Sequence, residues 1–348
     1  MQMKQTVVIH AKPLSTYLFL LLCGLFGINS SFTATVIIVP LINDTDQLAL
    51  VSFKGEIHGD PFEVLEPWNN SFHFCRWKGI SCGRRHQRVT ILNLEGTFLF
   101  RLRDLLLGNN FFESRIPASL SNCSDLRHIR MFKNHFSGAI PAEISSLSKL
   151  LVLDLSSNQF SGVIPPSLGN LTTLTNLSLQ YKKIGGSIPV ELRSLANLQY
   201  LNLATNNLSG AVPYTLYNLS SMITFFLANN LLSDQLPLDF GLNFPNLEQI
   251  NIDSNQFFGP IPSTIVNASR LTNIDFSTNY FSGRVPLNIG TLYELEYLQI
   301  SYNRLGSENG TGDLGFIMSL TNCTKLKLLL VVGNGFRDEF PSLVANFS

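Results

Sequence analysis

The sequence predicts an α/β solenoid, a chain wound into stacked turns with a sheet along one side. Three observations carry that reading. A phrase of about 24 residues recurs through most of the chain and is clearest in LLVLDLSSNQFSGVIPPSLGNLTT, beginning at Leu150. Within each copy leucines alternate with polar residues, the period-two pattern of a strand with one buried face. An apolar column then recurs once per copy, two residues after an asparagine. A single copy is too small to bury its own apolar side, so neighbouring copies must stack.

Aligned on that asparagine, the copies fall at Asn110, Asn134, Asn158, Lys182, Asn206, Asn230, Asn255, Asn279, Asn303 and Asn334. The step is 24 residues, except for 25 before Asn255 and 31 before Asn334. An L-x-x-L-x-L-x-x-N-x-[LF] core at this period is the leucine-rich-repeat signature. It predicts a right-handed solenoid over 89–348, with about eleven turns.

In the copy at Leu150, the side chains of Leu150, Leu153 and Leu155 point inward, while Asp154, Ser156 and Ser157 face out. Strands such as Ile129–Met131, Leu153–Leu155, Leu201–Leu203 and Ile250–Ile252 should line the concave side. The asparagine amide can satisfy backbone groups of its own and the adjacent turn, so the series should form a ladder. Lys182 can donate but not accept, which predicts a looser bend there. The column after it (Phe112, Phe136, Phe160, Ile184, Leu208, Leu232, Phe257, Phe281, Leu305, Phe336) reads as a packed spine. S-G-x-I-P follows, as in Ser137 to Pro141 and Ser161 to Pro165. Glycine permits a bend and proline interrupts a regular helix, so short extended pieces and 3₁₀ turns are expected on the convex side. A last core column runs Cys123, Leu147, Leu171, Leu195, Leu219, Phe244, Ala268, Leu292, Cys323. The strand cores Leu92 to Leu94 and Leu105 to Leu107 lie only 13 residues apart, which predicts an abbreviated first turn.

Lys4 and Lys12 precede the apolar run from Tyr17 to Ile28, and small residues follow it from Ser30 to Ala34. This is a signal-peptide pattern over 1–34, shorter than a membrane span. A cap is expected over 43–83. Its Asp44-Thr45-Asp46-Gln47 reads as a capping box opening a helix, with Leu50, Phe53 and Ile57 on one face. Trp68 and Trp77 would cover the open end of the solenoid. Basic and acidic residues balance at 24 each, so no nucleic-acid footprint exists. The sequence shows no CxxC pair, histidine cluster, Ser/His/Asp set or phosphate loop, and implies no catalytic residue, metal or cofactor. Cys123 and Cys323 sit eight turns apart in a core column and should remain free thiols.

Sequons at Asn43, Asn69, Asn170, Asn176, Asn207, Asn218, Asn267 and Asn309 are expected glycan acceptors. Asn122, Asn322 and Asn346 also fit, the first two directly before core cysteines. The outward strand positions favour a ligand-binding face. Its candidate residues are Tyr200, Asn202, Phe226, Asn251, Asp253, Asp275, Tyr297, Gln299 and Tyr302, which mix aromatic, amide and acidic groups.

The L-S-G-x-I-P phrase resembles the plant-specific class of leucine-rich repeat. Asp44 to Lys54, Trp68-Asn69 and Cys75-Arg76-Trp77-Lys78-Gly79-Ile80-Ser81-Cys82 resemble the cap of plant receptor-like kinases and receptor-like proteins. Ser319-Leu320-Thr321-Asn322-Cys323-Thr324 is similar to a phrase of the subfamily that includes receptors for bacterial flagellin and elongation factor. The resemblance implies a Cys75–Cys82 disulfide, passage through the secretory pathway and a place outside the cell or at its surface. It also implies recognition of an extracellular peptide or protein in plant defence, with other leucine-rich-repeat receptor ectodomains as partners. Kinase phrases are missing and the sequence stops within a repeat, so the expected product is an ectodomain cut short before the span and kinase. Two alternatives stand beside it. One is an inactive truncated product. The other is a secreted inhibitor of a cell-wall-degrading enzyme, whose usual C-terminal cysteine cap has no counterpart here.

Overall fold

The computed structural model describes residues 47, 50, 51 and 54, then 65–82 apart from 70 and 78, 89–92, and 102–339 apart from 182, 308–312 and 338. The signal segment, Asn43, Phe53, Ile57, the bend at Lys182, Asn309 and the final residues lie outside the described residues. The chain divides into two compact units, Met1–Thr45 and Asp46–Ser348. All the described residues belong to the second.

Ten parallel strands of three residues each form one sheet in chain order, from Asp104–Leu106 to Leu328–Leu330. Each residue pairs with its equivalent one turn on, as Tyr200 does with Asn176 and Thr224. Register survives the irregular steps: Phe225 pairs with Ile250, and Leu298 with Leu329. The extra residues therefore leave the chain elsewhere, in the turns around Phe240–Asn243 and Gly315–Leu320. The expected strands are present, shifted one residue toward the N-terminus, as in Val152–Asp154.

The asparagine ladder is built as the amide's donor and acceptor inventory requires. Asn134 Nδ2 donates to Met131 O and Phe132 O of its own turn and to Leu107 O of the preceding one. Its Oδ1 accepts from Phe112 N. The same pattern recurs at Asn158, Asn230, Asn255, Asn279 and Asn303. Beneath it lies the spine, with Phe112–Phe136 and Phe136–Phe160 rings stacked at centroid distances of 5.9 and 6.3 Å. Phe257 and Phe281 stack at 6.3 Å. The third core column, including Cys123 and Cys323, is buried throughout.

After the ladder asparagines the chain forms a second, six-stranded parallel sheet and a three-stranded one. The 3₁₀ turns Ala118–Asn122, Ala142–Ser146, Pro166–Asn170, Val190–Ser194, Tyr214–Asn218, Ser263–Asn267 and Leu287–Thr291 follow. A proline precedes each one. These prolines start the tight turns, and the carbonyl of Pro117 accepts from Leu120 N at 3.1 Å. The glycine of each S-G pair has positive φ, 79° at Gly138 and 86° at Gly162, which explains the residue type.

In the cap, Gln47, Leu50, Val51 and Lys54 are helical, and Leu50 is buried. Trp68 and Trp77 are buried and stack at 5.4 Å. Cys75 and Cys82 are disulfide-bonded. Val89–Leu92, at the start of the expected repeats, pairs antiparallel with Ile80–Cys82 of the cap. Residues 93–101, where the abbreviation would fall, lie outside the described residues.

Candidate ligand-binding face

Four columns run along the ten-stranded sheet, because register is constant and side chains alternate faces. The first includes Asn176, Tyr200, Thr224, Gln249, Asn273 and Tyr297. The second includes Asp154, Ser178, Asn202, Phe226, Asn251, Asp275 and Gln299. A third, two residues further on, holds Ser156, Gln180, Ala204, Ala228, Asp253, Ser277 and Ser301. The fourth precedes the ladder asparagine, and its non-glycine members from Asn109 to Tyr302 all have φ between 52° and 61°.

Several second-column groups hold the backbone itself. Asp154 Oδ1 accepts from Ser156 N, Asn202 Oδ1 from Ala204 N, Asn251 Oδ1 from Asp253 N and Asp275 Oδ1 from Ser277 N, at 2.9 to 3.1 Å. Asn202 is a correction. It is buried, and its Nδ2 also donates to Gln180 Oε1 and Tyr200 Oη. With its polar atoms engaged, it orients Tyr200 and offers no contact of its own. Ser156, expected to face outward, is also buried, as is Thr224 of the first column. Strands about 4.8 Å apart cover a short side chain from both sides even when it points out of the sheet.

The aromatic groups behave otherwise. Tyr200 and Phe226 are half-buried and meet edge-on at 6.4 Å. Tyr297 lies under Lys327 Nζ at 5.7 Å, and that ammonium pairs with Glu296 at 2.7 Å. Tyr302 stands 62 % exposed. Burial, with Asp253 nearby, raises the Asp275 carboxyl above its ordinary range, against the lowering effect of Ser277. Asp253 accepts from Ser254 Oγ, and Gln299 is half-buried. The turns toward the N-terminus expose Arg103, Arg127, Arg130 and Lys133.

Among known families, residues 43–83 match the leucine rich repeat N-terminal domain, and residues 149–171 and 197–219 match the leucine rich repeat. The LRR receptor-like serine/threonine-protein kinase EFR of Arabidopsis thaliana is 41% identical over 90 residues, 22% of this chain and 9% of that protein. Among solved structures, a TDR receptor aligns with a TM-score of 0.65 and 34% identity, over 71% of this chain and 41% of that one. The plant peptide hormone receptor RGFR1 in complex with RGF2 aligns with a TM-score of 0.62 and 30% identity, over 72% and 42%. In sequence and fold the chain resembles plant leucine-rich-repeat receptor ectodomains. It spans less than half of the length of each of these relatives.

Within the repeats, Tyr181 is a further outward-facing aromatic beside the candidate residues. It is 56 % exposed and occupies the same left-handed column as Tyr302, with φ of 58° against 54°. A bulky L-residue is costly there, by roughly 1–2 kcal/mol. The described sequon asparagines Asn69, Asn170, Asn207, Asn218 and Asn267 are exposed, as are Asn122 and Asn322. Asn176 is half-buried on the ten-stranded sheet.

Proposed function

We propose that this ectodomain acts outside the cell, after passage through the secretory pathway, and binds an extended peptide or a protein surface on its ten-stranded face. The binding belongs to plant defence signalling, with other leucine-rich-repeat receptor ectodomains as partners. One observation supports it above the rest. From Tyr200 to Tyr302 a rigid parallel sheet presents aromatic side chains that rise past a floor of short polar and alanine residues. Pre-ordered strands lose little entropy on binding, and aromatics supply contact area at few positions. One solved relative, RGFR1 in complex with RGF2, is a plant peptide hormone receptor.

The proposed binding residues are Tyr200, Phe226, Asn251, Asp253, Asp275, Tyr297, Gln299 and Tyr302. The repeats and cap that match relatives are recognition elements, so the chain contributes binding and no catalysis. The test is selection of peptides from a displayed library on the folded, secreted chain. Tyr297→Ala combined with Tyr302→Ala should weaken the selected peptides about tenfold or more, the scale of an interface hot spot. Unchanged affinity would place the site elsewhere.

A further inference from the structure

From the positions of the sequons, we infer that Asn176 carries an N-linked glycan that stands on the ten-stranded face and closes it on the N-terminal side, confining ligand to the strands from Tyr200 onward. The inference rests on the extracellular reading above.

The described sequons divide by place. Asn122, Asn170, Asn218 and Asn267 are each the last residue of a 3₁₀ turn, away from the ten-stranded sheet. Asn207 opens a strand of the second sheet. Asn176 alone among them begins a strand of the ten, Asn176–Ser178. Its Oδ1 accepts from Thr175 Oγ1 at 2.8 Å, and its Nδ2 has no intrachain partner among the described residues. Ser178 supplies the hydroxyl residue that the sequon requires.

The co-reactant is a lipid-diphosphate-linked oligosaccharide. Asn176 Nδ2 forms a bond to the anomeric carbon, the bond from that carbon to diphosphate oxygen breaks, and the lipid diphosphate leaves as Nδ2 loses a proton. Transfer to the unfolded chain precedes strand formation, so the folded state need only leave Nδ2 open, as it does. A sugar ring is wider than the strand step of about 4.8 Å. It therefore reaches over the register neighbour Val152 and the near edge of Tyr200, whose other side meets Phe226 on the ligand's side of the fence. Three strands with Arg103, Arg127, Arg130 and Lys133 around them fall on one side of this fence. Six fall on the other, from Tyr200–Asn202 to Leu328–Leu330. Those six span five steps, roughly 24 Å, the length of about seven extended residues.

The test uses the full chain secreted from cultured plant cells. Peptide N-glycosidase in heavy-oxygen water marks each occupied asparagine as a labelled aspartate, and chymotryptic cleavage at Leu171 and Leu174 separates Asn170 from Asn176. Label at Asn176 is the expected result. An unlabelled Asn176 beside labelled Asn170 and Asn218 overturns the inference alone, whereas empty sequons throughout overturn the extracellular reading with it. Hydroxyl-radical labelling then reads the fence without any ligand. Removing the glycan from the folded protein, or Asn176→Gln, should raise labelling of Tyr200 severalfold and leave Tyr302 unchanged. Equal labelling of Tyr200 in both forms would show that the glycan points away from the face.

Discussion

Asn230 joins two turns with one amide. Its Nδ2 donates to Leu203 O, Leu227 O and Ala228 O at 3.0, 2.9 and 3.2 Å, and its Oδ1 accepts from Leu208 N at 3.1 Å. All of this lies in a buried core, where an unsatisfied polar group costs about 1–3 kcal/mol. Asn230→Ala should therefore destabilise the chain by about 3 kcal/mol or more in urea denaturation. Asn334→Ala, at a half-buried position, should cost less. The ladder was legible in the sequence because the amide, with two N–H donors and a carbonyl acceptor, recurs at one spacing. The behaviour of Asn202 was not, because nothing in its alternation pattern separates an outward residue from an exposed one.

Among the elements, the 31-residue turn departs furthest from the repeat. Within it, buried Asp313 accepts from Ser307 N through both carboxyl oxygens at 3.0 Å and has Arg284 Nε 3.7 Å away. Burial alone would raise this carboxyl, but the Ser307 hydrogen bonds with Arg284 and Arg337 outweigh it and hold it below its ordinary value. A carboxyl lowered in the fold adds stability above its unfolded pKa and loses it as pH falls through the folded one. Gly315–Leu320 should thus lose hydrogen-exchange protection in acid before the central turns do, and Asp313→Asn should remove that pH dependence. Protection lost at the same pH in all turns would count against it. Asp275 has the opposite sign. Its raised carboxyl costs stability when ionised, and the cost fades as pH falls. A cationic ligand group docked there should bind less well over the same fall in pH.

Over the whole molecule, each turn contacts mainly its neighbours, so distant residues stay distant. Cys123 and Cys323 lie eight strand steps apart, roughly 38 Å, and both are free and buried. Burial pushes the Cys123 thiol up to about 11 and raises that of Cys323. The thiolate is the reactive form, so iodoacetamide near neutral pH should label neither in the folded chain and both in urea. Labelling of Cys123 before unfolding would show that the N-terminal turns open locally.

The sequence by itself determined the period, the strand positions, the asparagine ladder, the phenylalanine spine and the proline-started 3₁₀ turns. Each follows from one residue type recurring at one spacing, and each interaction joins a residue to its own turn or the next. Only the tertiary structure decided which outward residues reach solvent. Stacked strands cover Ser156, Asn202 and Thr224 from both sides, whereas Tyr200, Phe226 and Tyr302 are long enough to rise past their neighbours. It also decided that Val89–Leu92 pairs with the cap and that Asn176 lies on the ten-stranded face. Those outcomes depend on what lies beside a residue across the turn, which a pattern along one strand does not record.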